Sequence, residues 1–462
     1  MSLTSAPGST AAFLQEVSST LGAARVVVDP EVAAAHAVDW TGRFTGSPPA
    51  VLRPGDTGEV AAIVGAARRH AVALVAQGGN TGLVGGATPC DGEVVVDLRR
   101  LDAIVDIDPI GGQLTAGAGA TIAAVQGAAR SAGWAYGVDW AARDTATIGG
   151  SVATDAGGLR FVRHGSTRRQ LLGAEAVLGT GTTIRHLPAV EKDNTGYDLA
   201  GLLCGSEGTL GLVTAARLRL VAPSGPAATA LVGFDSTAAA VEAASILRRS
   251  LPGLEAVELV LAAGLDLVRS ATGLPAPLAV DAPVVLLVES SDHADPESRL
   301  AEAVAGLDGV LDAAVAVDGP RRSQLWRYRE EHTEAIGRVG PPHKFDVTLP
   351  APVLAAFIDE VPALVGGIAP HARTWCFGHA ADGNVHVNVT GLPAHDEAVA
   401  DLVLQHVADL GGSISAEHGI GRAKKRWLHL ARSGAEITAM HAVKDALDPD
   451  GICNPGVLLP PR

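Results

Sequence analysis

Three observations predict an α+β protein of two or more domains. The chain has 462 residues, far more than one hydrophobic core organises. Its first half joins short β-prone runs through glycine-rich loops with little helix between them. Beyond residue 226 strands and helices alternate, the pattern of helices laid over a sheet. Hydrophobic residues reach 47% while aromatics stay at 3%, so small and branched aliphatics must build the interior.

Taken in order, residues 13–21 predict a short helix. A longer one follows at 56–70, with Asp56 as N-cap and Glu59 at capping-box spacing. The apolar run 72–76 is a buried strand that enters the loop QGGNTGLVGG (77–86). Strands are expected at 93–98, 103–107 and 113–116, then a helix over 121–132. The loop TIGGSVATDAGG (147–158) and the segments KDNTGYDL (192–199) and GSEGTLG (205–211) precede a strand at 217–220. The Pro/Gly/Ser cluster 221–226 marks a domain boundary. Strands at 230–234, 284–289 and 313–317 then alternate with helices at 236–249 and 296–305. A basic segment, 321–344, leads to a histidine-containing hairpin and to GGSISAEHGIG (411–421).

Lys and Arg number 35 against 50 Asp and Glu, a net charge of −15, which argues against non-specific binding to nucleic acid or anionic membranes. An anionic substrate would need a local basic pocket. Cys90, Cys204, Cys376 and Cys453 are far apart and form no C-x-x-C, as suits a reducing cytoplasm. The first 17 residues have neither a charged n-region nor an apolar h-region, and no window offers about 18 uninterrupted apolar residues. A cytoplasmic, non-membrane-spanning protein is expected.

The stretch 374–390, TWCFGHAADGNVHVNVT, concentrates chemistry on a β-prone background. Asp382-Gly383 predicts a two-residue type I′ turn. Ala381 would then oppose Asn384, Ala380 would oppose Val385, and His379 would oppose His386. Opposed Cβ atoms lie about 4.5–5.5 Å apart, close enough for two imidazoles to share a metal ion. Period-two alternation puts Val385, Val387 and Val389 on one face and His386 with Asn388 on the other. Alone, a His-x6-His hairpin more often carries two surface histidines.

Loop 77–86 follows a strand, where glycines leave backbone N–H groups free to cradle a pyrophosphate. No Gly-Lys-Ser/Thr follows, so it is not a Walker A loop. The nicotinamide fingerprint also fails, because Ile122 stands where Gly117-Ala-Gly119 would need its third glycine. Any one of these loops could be an ordinary turn. Four within about 135 residues are harder to dismiss, because glycine in bulk is entropically costly.

In their order, QGGNTGLVGG, TIGGSVATDAGGLRFVRHG, KDNTGYDL and GSEGTLG closely resemble the FAD-binding domain of the vanillyl-alcohol oxidase/PCMH superfamily. GHAADGNVHVN, SAEHGIG and the terminal NPG resemble the branch containing D-2-hydroxyglutarate dehydrogenase, D-lactate dehydrogenase and the glycolate oxidase FAD subunit. The resemblance runs from about residue 45 to residue 457. It implies a two-subdomain PCMH-type FAD-binding domain (1–222), an α+β substrate or cap domain (223–410) and a C-terminal segment (411–462) returning to the flavin. FAD is implied as a non-covalent cofactor, since loop 77–86 contains no His or Cys for attachment.

The cofactor-binding residues so implied are Gln77, Gly78, Gly79, Asn80, Thr81, Gly82, Gly85 and Gly86 in the first loop. The second contributes Thr147, Ile148, Gly149, Gly150, Ala153, Thr154, Gly157 and Gly158; Glu207 and Asn454 complete the set. Two departures stand out. Asp155 occupies a place where relatives usually have Asn, an unexpected acid beside a pyrophosphate. GHAADGN replaces the commoner GHLGDGN without touching the implied ligands.

The same resemblance implies a divalent metal, zinc by its ligands, on His379, His386 and Glu417. Arg329, Thr333, Lys344 and Asn388 are the implied substrate-binding residues; Arg329 and Thr333, four apart, are expected on one helix face. A solvated basic helix is the plainer account of Arg321, Arg322, Arg327 and Arg338. His418 is the expected base, pointing away from Glu417 if the segment is extended. The activity implied is FAD-dependent, metal-assisted oxidation of a D-2-hydroxy acid, D-2-hydroxyglutarate ahead of D-lactate. A quinone, electron-transfer flavoprotein or cytochrome would take the electrons, and a homodimer is compatible. The alternatives are a non-redox transferase of the alkylglycerone-phosphate synthase type and the FAD subunit of a larger oxidase.

Overall fold

The structure, a computed structural model, describes residues 7–393 and 396–462. Residues 1–6, the start of the stretch read above for an export leader, lie outside the described residues. The chain divides into two compact units. Met1–Gly158, His164–Pro223 and Glu417–Arg462 form the first; Leu159–Arg163 and Ser224–Ala416 form the second. The late seam therefore falls between Ala416 and Glu417, not between residues 410 and 411. Thr348 and Ser413 exchange backbone hydrogen bonds of 3.0 and 2.8 Å, and the Ala416 N–H donates to the Asp346 carbonyl at 3.2 Å. Those bonds keep Ser413–Ala416 in the second unit.

The first unit contains a four-stranded sheet, in spatial order Val26–Val27, Val51–Leu52, Val94–Asp97 and Leu74–Gln77, and a five-stranded antiparallel sheet. The latter runs Ile104–Asp108, Gln113–Gly117, Gly211–Arg219, Leu171–Leu178 and Thr183–His186. The helix Thr57–His70 buries Val60, Ile63, Val64 and Ala67, spaced for one helical face. Asp56 caps it by accepting the Glu59 N–H, a contact worth about 1 kcal/mol. Glu59 does not return the bond to Asp56; it takes the Gly55 N–H at 2.6 Å, one residue further out.

A seven-stranded antiparallel sheet organises the second unit. Its order is Val310–Ala316, Ala227–Phe234, Val284–Ser291, Leu254–Leu261, Arg373–His379, Asn384–Thr390 and His343–Thr348. Helices Thr237–Ser250 and Ala351–Ile368 pack against this sheet and each other. Helices Ala262–Thr272, Gly319–Glu330 and His332–Val339 also pack on it. Helix Ala351–Ile368 is long and apolar enough to cross a bilayer, with mean hydropathy 1.6. Asp359 and Glu360 interrupt it, however, and Leu354, Phe357, Ile358, Val361 and Val365 are buried on one stripe.

The short segment Leu159–Arg163 is bound into this second unit by charge. Arg160 pairs with Glu289 at 2.5 Å and Arg163 with Glu255 at 2.8 Å. Burial tends to raise the Glu289 pKa. Arg160, Trp326, Arg322 and Thr229 outweigh it and hold the group at about 2.

Candidate active site

Within the first unit the glycine loops line one cleft with about 1030 Å³ of empty space. Gln77, Gly78, Gly79, Asn80, Thr81, Gly82 and Gly86 contribute from the first loop. Thr147, Gly149, Gly150, Ala153 and Thr154 line it from the second, and Glu207 and His418 complete the expected contacts. The glycines do two jobs. A Cβ on Gly79 would sit 2.0 Å from the Thr145 carbonyl and one on Gly78 2.2 Å from Thr147 Oγ1, so these two let the loops meet. Gly82 has nothing within 4 Å of a Cβ position, presenting bare backbone instead.

Five expected cofactor residues do not line the cleft. Ile148 is a core residue, and Gly85 packs against Phe44. Gly157 is buried, and the Gly158 N–H donates to Glu417 Oε1 at 2.9 Å. Asn454 ties the walls together, its Nδ2 donating to the carbonyls of Gly86 and Glu207, each at 2.8 Å. Trp140, Ser206 and Gly208 line the cleft without having been singled out. Ser206 and Gly208 belong to the GSEGTLG segment already noted, and Trp140 is one of few aromatics beside a glycine loop.

Glu207 is a buried carboxylate with φ of 53°, in the left-handed region. It accepts the N–H groups of Ile420 and Gly421 at 2.8 and 2.7 Å, fixing the turn that follows Glu417 and His418. Burial pushes its pKa up to about 7, opposed by the two backbone hydrogen bonds and by Lys424.

In the second unit, ladder partners place the polar candidates on one sheet face. Glu258 opposes His379; Phe377 opposes His386, which opposes Asp346; Trp375 opposes Asn388, which opposes Lys344. Directly opposed residues point to the same side, so Lys344, Asn388, His386, His379 and Glu258 share it. The hairpin register differs from the expected one. His379 opposes Asn384, and residues 380–383 form the loop. A type I′ turn needs positive φ at both centres, but only Gly383 has it, at 81°. Asp382 instead accepts the Asn384 N–H at 3.1 Å. The histidines become diagonal neighbours on the same face, with rings edge-on at 5.4 Å and nitrogen atoms within 4.8 Å.

Each histidine has an acid beside Nδ1: Glu258 Oε1 at 2.6 Å from His379, and Asp346 Oδ1 at 3.4 Å from His386. A carboxylate orienting the far ring nitrogen is a common partner of metal-binding histidines. Two imidazoles so oriented, next to oxygen donors, suit zinc or a similar borderline divalent ion. Arg329 donates Nε–H to Glu258 Oε2 at 2.6 Å and stacks its guanidinium 4.6 Å from the Phe377 ring centre. It is therefore no solvated residue. Burial raises the Glu258 pKa, but His379 and Arg329 prevail and hold it below the usual range. Lys344 is depressed by burial. Thr333 is exposed and does not share the Arg329 face, because the helix ends at Glu330 and a second begins at His332.

The model of FAD linked oxidases, C-terminal domain, matches residues 226–458, and the FAD binding domain model matches residues 48–186. A D-2-hydroxyglutarate dehydrogenase of Xanthomonas citri pv. viticola is 38% identical over 450 residues, covering 94% of each chain. The chain belongs to the D-2-hydroxyglutarate dehydrogenase family of FAD-linked oxidases. Further members include the Bos taurus mitochondrial D-2-hydroxyglutarate dehydrogenase, 36% identical over 94% of this chain and 81% of that one. The Stutzerimonas stutzeri D-2-hydroxyglutarate dehydrogenase is 34% identical, with 96% and 98% covered. Among solved structures, 4-ethylphenol oxidase from Gulosibacter chungangensis shares the fold at TM-score 0.77 and 19% identity, covering 99% of this chain and 98% of that one. The family is thus an FAD-dependent one, and its PCMH-type fold is the one described above.

Proposed function

We propose that this protein oxidises a D-2-hydroxy acid to the 2-oxo acid, with D-2-hydroxyglutarate as the first substrate to test and D-lactate the next. The observation that carries the reading is the shared sheet face. Lys344 and Asn388, opposed on neighbouring strands, lie beside His386 and His379, with Arg329 held against Phe377. Two cations next to two oriented imidazoles suit an anionic hydroxy acid. The relatives named D-2-hydroxyglutarate dehydrogenase support the substrate class.

In this reading the glycine-lined cleft would hold FAD without a covalent bond, and the flavin would supply the hydride-accepting chemistry at N5. His379, His386 and Glu417 would hold a divalent cation, whose contribution is to acidify a hydroxyl. Chain continuity supports that grouping. Ala416 is bonded to the carbonyl of Asp346, the residue opposite His386, and Glu417 is the next residue. Arg329 and Lys344 would fix substrate carboxylate through charge-assisted hydrogen bonds. Asn388 would contribute a polar contact, and Thr333 a contact only if its segment rearranges. An imidazole nitrogen of His418 would take the hydroxyl proton. The cysteines are unpaired, which suits a reducing compartment such as the cytoplasm.

The test is dye-coupled oxidation by the chain purified alone, across D- and L-2-hydroxy acids, before and after chelation. Activity confined to D-acids and abolished by chelation, with the flavin spectrum unchanged, is expected. Full turnover in protein shown by elemental analysis to be metal-free overturns the metal assignment. No turnover with any acid, despite bound flavin, overturns the stand-alone dehydrogenase.

A further inference from the structure

Glu258 belongs to no motif read from the sequence, yet it sits at the centre of the polar face. It is 1% exposed and spends both carboxylate oxygens on residues with separate proposed tasks. Oε1 takes the His379 Nδ1–H and Oε2 takes the Arg329 Nε–H, both at 2.6 Å. Strand register makes the first contact unavoidable, because Glu258 stands directly across the ladder from His379. We infer that Glu258 is a positioning residue that sets the metal-ligating tautomer of His379 and the direction of the Arg329 fork through one side chain. This rests on the metal role proposed above.

The chemistry is specific. A carboxylate can accept from two donors at once, whereas arginine can only donate. An imidazole that gives its Nδ1 hydrogen to Glu258 carries its lone pair on Nε2, the nitrogen left to bind a cation. Arg329 commits only Nε to the pair, so its two terminal nitrogens keep the geometry of a bidentate carboxylate grip. The stack on Phe377, which opposes His386, holds the same guanidinium from a second side. Glutamine at 258 cannot reproduce this: its amide oxygen accepts one donor and its NH₂ meets the other donor head-on.

The experiment uses flavin-loaded protein and zinc, with a chromogenic chelator as competitor, so that affinity is read without turnover. His379→Ala, Glu258→Gln, Glu258→Asp, Arg329→Met and the double variant Glu258→Gln/Arg329→Met are compared. Glu258→Gln should weaken zinc about 10- to 100-fold and raise KM, with Glu258→Asp recovering part of both. Arg329→Met should raise KM while zinc affinity stays within about twofold of wild type. The double variant removes the unpaired buried cation, keeping the test open if Glu258→Gln does not fold. It should show the zinc loss expected of Glu258→Gln.

Wild-type zinc affinity in both Glu258→Gln proteins, alongside a loss in His379→Ala, would leave Glu258 a purely structural ion-pair partner. Wild-type affinity in His379→Ala would instead remove the ligand role itself, and this inference with it.

Discussion

The carboxylate of Asp155 accepts both the backbone N–H and the Nε–H of Arg168, each at 2.9 Å. Asp155 ends the helix Ile148–Thr154 in the left-handed conformation, φ 51°, a place that Asn also tolerates well. The acid is thereby directed at an arginine, and the concern about an anion beside a pyrophosphate is met by a local countercharge. Asp155→Asn should keep flavin content at wild-type level. The pair is partly exposed, so the loss of stability should stay within about 1 kcal/mol. Flavin-to-protein ratio and a thermal melt check both.

Glu207 gives the protein a defined acid-side response. Its folded-state pKa of about 7 lies above the ordinary 4.5, so between those values the native state holds a proton that the unfolded chain has released. Stability from this group therefore falls as pH rises from about 4.5 to 7, by on the order of 3 kcal/mol in all. Glu207→Gln should flatten that limb in melts followed by flavin fluorescence. An unchanged pH profile would mean that another group controls it.

Lys344→Ala should lower kcat/KM on the best substrate about 10- to 100-fold, the equivalent of one charge-assisted hydrogen bond. It is a cleaner probe than Arg329→Ala, which also strips Glu258 of a partner. Wild-type kinetics in Lys344→Ala would exclude it from substrate binding.

His418→Asn keeps a polar side chain in the lining of the flavin cleft while removing the proposed base. Flavin bleaching under saturating substrate in single turnover should slow by about 10²–10⁴. Retention of most of the rate, with the wild-type acid limb, assigns proton removal elsewhere.

What the sequence made legible follows from where the signal is local. The cap at Asp56, the glycine loops that line the cleft, and the alternation of 385–389 are short-range patterns, and each lies where such patterns put it. The helix Ile148–Thr154, capped by Thr147, was missed because its glycines read as a loop. The hairpin register was lost because Asp-Gly supports more than one loop length. The loop seen is held by contacts not legible locally: Asp382 takes the Asn384 N–H, Ala380 donates to Val257, and Gly383 accepts from Leu349. Glu258 was illegible for another reason: it is one of two acids in the otherwise apolar strand LEAVELVL, and its partners lie far off in sequence. Likewise, nothing before position 331 announces that the helix carrying Arg329 will break ahead of Thr333.

Asn454 and its neighbours also tie two distant stretches of the flavin-cleft unit together. Leu74 receives its backbone partners from the far end of the chain, donating to Ile452 and accepting from Asn454, both at 2.8 Å. The strand that launches the first glycine loop is thus completed by residues 452–454, from the third stretch of the first unit. A message truncated after the second unit would therefore yield an open-sided flavin unit with no Asn454 to clasp Gly86 and Glu207. An excised N-terminal half would lack residues 452–454 from this strand edge and is a poor vehicle for studying flavin binding.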